Sequence, residues 1–235
     1  MDRSFKQCLF AISLSLIPLS IFGITLESTA TPKTHSENIV RRVAFDIGSG
    51  QIKMQVSDVD SKISRIANVL LEDTASVALR EDLVKSRDGC FSTEIQNKLI
   101  LTINELIKKA ELFHPEEAHA VATESFRLAK NGLTLKERIK NETGLDVTII
   151  SQAEEGILGF ISAMNETCAD PEKVVSWDFG GGSFQITTKC GDDYFMYQGL
   201  GGSVPFKNAI IGLQGKDALQ MRSPNPISEK DLQQA

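Results

Sequence analysis

The chain has little cysteine and little histidine, four and three residues among 235. No Cys-x-x-Cys pair and no Cys/His spacing occurs, which argues against a zinc site. An excess of positive charge is also missing. Lys and Arg total 25 against 31 Asp and Glu, a formal net charge of −6, which argues against a broad basic surface for nucleic acid. A polyanionic ligand would therefore need cations supplied locally or as a metal ion. No low-complexity linker divides the chain. With 41% hydrophobic and 24% charged residues, the composition suits an α/β protein with one large domain or two small ones.

The N-terminus carries a targeting pattern. Arg3 and Lys6 precede an apolar run from Cys8 to Leu26 that is broken at Pro18. Ser28-Thr29-Ala30 then offers the small residues of a cleavage site. Two outcomes are open: removal of a signal peptide spanning residues 1–30, or retention of the run as a membrane anchor, since it nearly spans a bilayer. Both put the folded part outside the cytoplasm, with a periplasmic or secreted location expected. Loss of Cys8 leaves Cys90, Cys168 and Cys190. Cys168 and Cys190 flank two candidate hairpin strands and are expected either as a disulfide or as free thiols.

The most informative stretch is Val174-Val-Ser-Trp-Asp-Phe-Gly-Gly-Gly-Ser-Phe-Gln-Ile186. An apolar strand ends at Asp178, three glycines and Ser183 follow, and a second strand resumes. Such a loop can turn sharply and present backbone N–H groups to a phosphate, with Asp178 placed to hold a metal beside it. A glycine-rich hairpin without a ligand is the simpler alternative. An earlier copy favours the ligand: Val43-Ala-Phe-Asp-Ile-Gly-Ser-Gly-Gln-Ile-Lys-Met-Gln-Val56 has the same order of strand, acid (Asp46), glycine loop and strand. Two copies predict two similar lobes, each with a phosphate loop and a carboxylate.

Between the copies, the pattern predicts strands at Gln51–Val56 and Ile63–Leu71 and a helix capped by Ser92-Thr93. A short strand at Ala118–Thr123, a polar helix near Glu124–Lys130 and a helix at Leu133–Thr143 stopped by Gly144 follow. A buried strand at Asp146–Ile150 leads to a helix from Ala153 to about Met164, whose first turn carries Glu154 and Glu155. This order suits mixed sheets with helices on their faces. The last helix is the expected crossing between lobes at residues 39–160 and 161–235.

Four blocks in order resemble the exopolyphosphatase and guanosine pentaphosphate phosphohydrolase family of the actin-like superfamily. They are Asp46-Ile-Gly-Ser-Gly50, Val121-Ala-Thr-Glu-Ser-Phe-Arg-Leu-Ala-Lys-Asn131, Ile150-Ser-Gln-Ala-Glu-Glu155 and Asp178-Phe-Gly-Gly-Gly-Ser183. The resemblance implies an α/β fold of two actin-like (ribonuclease H-like) lobes. It also implies hydrolysis of phosphoanhydrides in inorganic polyphosphate or nucleotide polyphosphates, with Mg²⁺. Glu155 would be the base that activates water, and Arg127 would contact the phosphate chain. Gly48, Ser49, Gly50, Gly180, Gly181, Gly182 and Ser183 would cradle phosphate, joined by Lys53, while Asp46 and Asp178 would hold the metal. A homodimer is one expected assembly.

Three departures qualify the resemblance. Gly50-Gln51 stands where these exopolyphosphatases typically carry Asn-Ser, and Gln185 stands where they carry a metal-associated Glu. Secreted nucleoside triphosphate diphosphohydrolases use four similar blocks, and there a Gln at this position orients water. Asn225–Ala235 has the character of a capped helix start that is then cut off. The second lobe is therefore expected to be incomplete and to expose apolar surface. A hydrolase of the apyrase kind, a non-catalytic phosphate-chain binding module, and an actin-like kinase or chaperone ATPase are the alternatives.

Overall fold

The computed structural model describes residues 38–234, apart from 168 and 222. The expected leader and Cys168 lie outside the described residues. Among these residues, no helix is long and apolar enough to cross a membrane.

Strand β1 (Ile39–Ile47) pairs antiparallel with β2 (Gln51–Asp60), and β2 with β3 (Arg65–Ser76). On its other side β1 runs parallel to β4 (Glu117–Ala122), which runs parallel to β5 (Val147–Ile149). The mixed sheet has the order β3-β2-β1-β4-β5. Val43, Ala44, Phe45 and Ile47 of β1 are all buried, as expected of a strand covered on both faces.

Four helices lie between the sheet's strands or follow them: α1 (Leu79–Lys85), α2 (Thr93–Glu111), α3 (Glu124–Leu128) and α4 (Gly132–Thr143). The Ser92 hydroxyl accepts the Ile95 N–H at the start of α2, and Leu99, Ile103, Leu106 and Ala110 form its buried face. Gly144 closes α4 at φ 76°, in the left-handed conformation that glycine adopts most readily. Helix α1 was absent from the sequence-based expectation. Its start at Ala78 has no side-chain cap, and seven residues are too few to display a helical period. The expected polar helix near Glu124 is also corrected: α3 is five residues long, and Glu124, Ser125 and Phe126 in it are buried.

Helix α5 (Gln152–Glu166) precedes the second sheet and packs on all three of its strands, β6 (Val175–Phe179), β7 (Phe184–Cys190) and β8 (Asp193–Gly199). These form an antiparallel meander in the order β6-β7-β8. The boundary expected after residue 160 thus falls inside α5, a helix that covers the second sheet along its length. Helices α6 (Ser203–Leu213) and α7 (Glu229–Gln234) complete the described chain. The Ser228 hydroxyl accepts the Asp231 N–H at 3.2 Å, so the expected capped helix start is formed.

The far face of the meander is apolar and open. Val175, Trp177, Phe179, Phe195 and Tyr197 are at least half exposed, and Phe179 stacks on Phe184, which in turn touches Tyr197. Cys190 is exposed and free at the end of β7.

Candidate phosphate site between the two glycine loops

The sequence repeat is a repeat of hydrogen bonds. In the first loop the Gly48 N–H donates to the Gln51 carbonyl at 3.0 Å, and in the second the Gly180 N–H donates to the Ser183 carbonyl at 2.9 Å. Each loop is then gripped by the helix that follows its third strand. The Arg80 N–H of α1 donates to the Ser49 carbonyl at 2.8 Å, and the Val204 N–H of α6 donates to the Gly181 carbonyl at 2.9 Å. Ser49 and Gly181 are thus equivalent positions, and they face each other. A Cβ on Gly181 would stand 3.0 Å from the Ser49 Cβ. The two loops meet at these equivalent positions.

Behind the loops lies a buried polar cluster. The Ser49 hydroxyl donates to Glu124 Oε2 at 2.9 Å, and the Ser125 hydroxyl donates to Ser49 Oγ at 3.0 Å. Arg80 Nη1 lies 3.3 Å from Glu124 Oε1. A Cβ on Gly182 would fall inside the Glu124 carboxylate. Gly182 is therefore glycine because a first-lobe acid occupies the space where its side chain would be. Glu124 and Arg80 were missed as site residues. Glu124 stands in a block the sequence singled out, but its neighbours Ser49, Arg80 and Gly182 are distant in the chain. Arg80 carried no local signal.

The two glutamates at the start of α5 separate into different roles. Glu154 Oε2 accepts the Ser151 N–H at 2.9 Å while the Ser151 hydroxyl accepts the Glu154 N–H at 3.1 Å, a reciprocal capping box. With Glu154 committed to the cap, Glu155 turns to Arg127. Arg127 Nη2 donates to Glu155 Oε2 at 2.9 Å, and Nη1 donates to the Ile150 carbonyl at 2.8 Å. Arginine has five N–H donors, so others remain for an anion.

Asp46 and Asp178 occupy the same place in their strands, ahead of the glycine loops. Lys53 is directly across the β1–β2 pair from Asp46, and Gln185 is across the β6–β7 pair from Asp178. Burial pushes the Asp46 carboxyl up to about 6, with Lys53 opposing the rise and Asp178 adding to it. Burial likewise raises Asp178, against Lys53. Glu155 is pushed up to about 7, chiefly by burial, while Arg127 opposes the rise and the charges of Asp46 and Asp178 add to it. Three carboxylates therefore feel one another's charge, with Lys53 and Arg127 as the opposing cations. Gln185 is buried, and its amide donates to Ser183 Oγ at 3.4 Å beneath the second loop.

The glycine loops, Asp46, Asp178 and Lys53 come from the two sequence copies, and Arg127 and Glu155 from the stretch between them; their charges act on one another where the lobes meet. Hard oxygen donors on Asp46 and Asp178 suit Mg²⁺, which needs only one or two carboxylates when water and phosphate complete its shell. Lys53 offsets part of their mutual repulsion, and a divalent cation would remove the rest. Among the described residues, no group of three or more His, Cys, Asp and Glu forms a complete protein cage for a metal.

Comparison with known proteins agrees with this architecture. The model of the Ppx/GppA phosphatase family matches residues 56–194, a span holding Glu124, Arg127, Glu155, Asp178 and the second loop. Exopolyphosphatase 1 of Mycobacterium tuberculosis (strain H37Rv) is 26% identical over 149 residues, 63% of this chain and 42% of the relative. Exopolyphosphatase 1 of Mycobacterium leprae is 24% identical over 148 residues. The chain spans 42% of the length of these curated relatives. A crystal structure of the Aquifex aeolicus Ppx/GppA family member is 25% identical, with 83% of this chain and 59% of that one aligned at a TM-score of 0.63. The fold is shared at 20% identity with an exopolyphosphatase from Cytophaga hutchinsonii, over 81% of this chain and 56% of that one, again at a TM-score of 0.63. With two actin-like lobes and a family match over more than half its length, the chain belongs to the Ppx/GppA phosphatase family.

Proposed function

We propose that this protein is an extracytoplasmic, Mg²⁺-dependent phosphoanhydride hydrolase that removes the terminal phosphate from inorganic polyphosphate or a nucleotide polyphosphate. The observation that carries this reading is Glu155. Its carboxylate is held by Arg127 at 2.9 Å and raised to about 7 beside two aspartates and two phosphate loops. A general base works best with an affinity for protons near the working pH.

In this reading the glycine loops and the free donors of Arg127 bind and orient the terminal phosphoryl group. Asp46 and Asp178 would hold Mg²⁺, which supplies charge neutralisation at the phosphoryl oxygens. Glu155 orients a water and takes its proton as the water oxygen bonds to phosphorus. The bridging P–O bond breaks and its electron pair leaves with the shortened chain, giving orthophosphate. Lys53 limits repulsion between the acids and the arriving polyanion. Gln185, paired across strands with Asp178, supports the metal side without adding charge. The extracytoplasmic location rests on the leader pattern of residues 1–30.

The test is release of orthophosphate from polyphosphate, guanosine pentaphosphate and nucleoside triphosphates, with and without Mg²⁺. Mg²⁺-dependent release from at least one of them is expected. Tight polyphosphate binding by calorimetry with no release would replace the hydrolase by a binding module, the reading that Gln185 favours.

A further inference from the structure

Helices α1 and α6 are counterparts, each following the third strand of its copy and each gripping a glycine loop. Besides Arg80, α1 is tied to the first loop through the Val77 N–H, which donates to the Gly50 carbonyl at 3.1 Å just before the helix. Besides Val204, α6 grips the second loop through the Ser203 N–H, which donates to the Gly180 carbonyl at 3.0 Å. Movement of either helix therefore moves the loop bonded to it. Among the described residues, the two helices are joined by a charged contact: Lys207 Nζ of α6 donates to Glu81 Oε1 of α1 at 2.7 Å. Beside that contact lies a cavity of about 490 Å³, bounded by α1 (Val84, Lys85), by α6 (Val204, Asn208) and by the segment from Ala218 to Met221 that follows α6, with the ion pair on its wall. The ion pair thus crosses from one lobe to the other at the edge of incompletely filled space.

We propose that Glu81 and Lys207 are positioning residues that tie the two glycine loops together at the spacing a phosphate chain requires. The proposal rests on the hydrolase reading above for the nature of the ligand. The pair does not reach the reacting atoms. It acts through α1 on Ser49 and Gly50 and through α6 on Gly180 and Gly181. Both side chains are partly exposed, Lys207 at 24% and Glu81 at 44%, so the tie biases an equilibrium rather than locking it. A pair of this exposure shifts the balance of open and closed lobes by about twofold to fivefold. Substrate bound to both loops closes them in any case, so the loss falls on apparent affinity.

The test uses Glu81→Lys, Lys207→Glu and the double exchange in the full chain, with polyphosphate and Mg²⁺. Each single reversal is expected to raise KM by at least twofold to fivefold, leave kcat within about twofold, and leave the melting temperature nearly unchanged. The double exchange restores the opposite pairing and should return KM close to the original. A reversal without effect on KM, or a rise that the double exchange fails to rescue, overturns the tie. A second readout does not need turnover: distances between spin labels at residues 98 and 192, one on each lobe, with the native cysteines replaced. The distribution should broaden in both single reversals and narrow again in the double exchange. If it does so in a protein that releases no phosphate, the tie stands and the hydrolase reading falls. Release with unaltered distances and KM overturns the tie alone.

Discussion

In the first lobe β1 is buried along both faces, and Phe45, Ile47, Ile52 and Met54 sit in one cluster with α2 and α4. In the second lobe α5 covers one face of the meander, while Trp177, Phe179 and Tyr197 stand open on the other. Yet the two glycine loops have the same hydrogen bonding. The loop conformation, fixed by its own turn and by the helix after the third strand, therefore does not depend on how deeply the surrounding sheet is packed. What differs is the neighbour of each loop. A Cβ on Gly50 would meet nothing within 4 Å, whereas one on Gly182 would overlap Glu124. The second loop is clasped by the first lobe, and the first is not clasped in return.

The strongest way to break the shared site is through Glu155, the group both lobes influence. Glu155→Gln should lower kcat for phosphate release by about a hundredfold to ten-thousandfold, measured against wild type at saturating substrate. The same substitution should act oppositely on stability. Glu155 rises from an ordinary 4.5 to about 7 in the fold, so the folded state binds its proton more tightly and loses stability as pH climbs between those values. Above pH 7 Glu155→Gln should then melt later, by about 1–3 kcal/mol, with no gain near pH 4.

The difference in packing is sharpened by one substitution in each lobe. Phe45→Ala should cost about 3–5 kcal/mol in chemical denaturation, through a cavity in a filled core. The difference between the loops predicts that Gly182→Ala costs about 1–3 kcal/mol and weakens phosphate-chain binding, whereas Gly50→Ala is nearly neutral on folding. Smallest of all, Trp177→Ala should change stability by less than about 0.5 kcal/mol, because its ring is 69% exposed.

A pH profile links these regions. Phosphate release should increase with pH through about 7 as Glu155 loses its proton. Raising Mg²⁺ should move that inflection to lower pH, since a cation between Asp46 and Asp178 removes the repulsion that helps hold the proton on. An inflection insensitive to Mg²⁺ would separate Glu155 from the two aspartates.

Much of this was legible in the sequence. The repeat gave Asp46 and Asp178 the same place ahead of a glycine loop, apolar runs gave the strands, and Ser92 and Gly144 marked helix ends by their own chemistry, whereas the Ser151 cap was not read. The Glu154–Glu155 pair announced itself, although only the capping box decides which glutamate is left for Arg127. Helix α1 stayed hidden because Ala78 caps nothing and the helix is short. Glu124 stayed hidden because its surroundings, Ser49, Arg80 and Gly182, are all far away in the chain. Local periods report what a segment does with its own neighbours, and the centre of this site is made where two distant segments touch.

The chain contains a single tryptophan, Trp177, set on the open aromatic face with Phe179 at its edge. Intrinsic fluorescence excited at the indole band therefore observes the second lobe alone. Circular dichroism, weighted toward the longer sheet and the helices of the first lobe, observes mostly the other. Coincident melting curves from the two signals would mean that the lobes unfold as one cooperative unit. An earlier fluorescence transition would mean that the meander detaches while the five-stranded sheet remains intact.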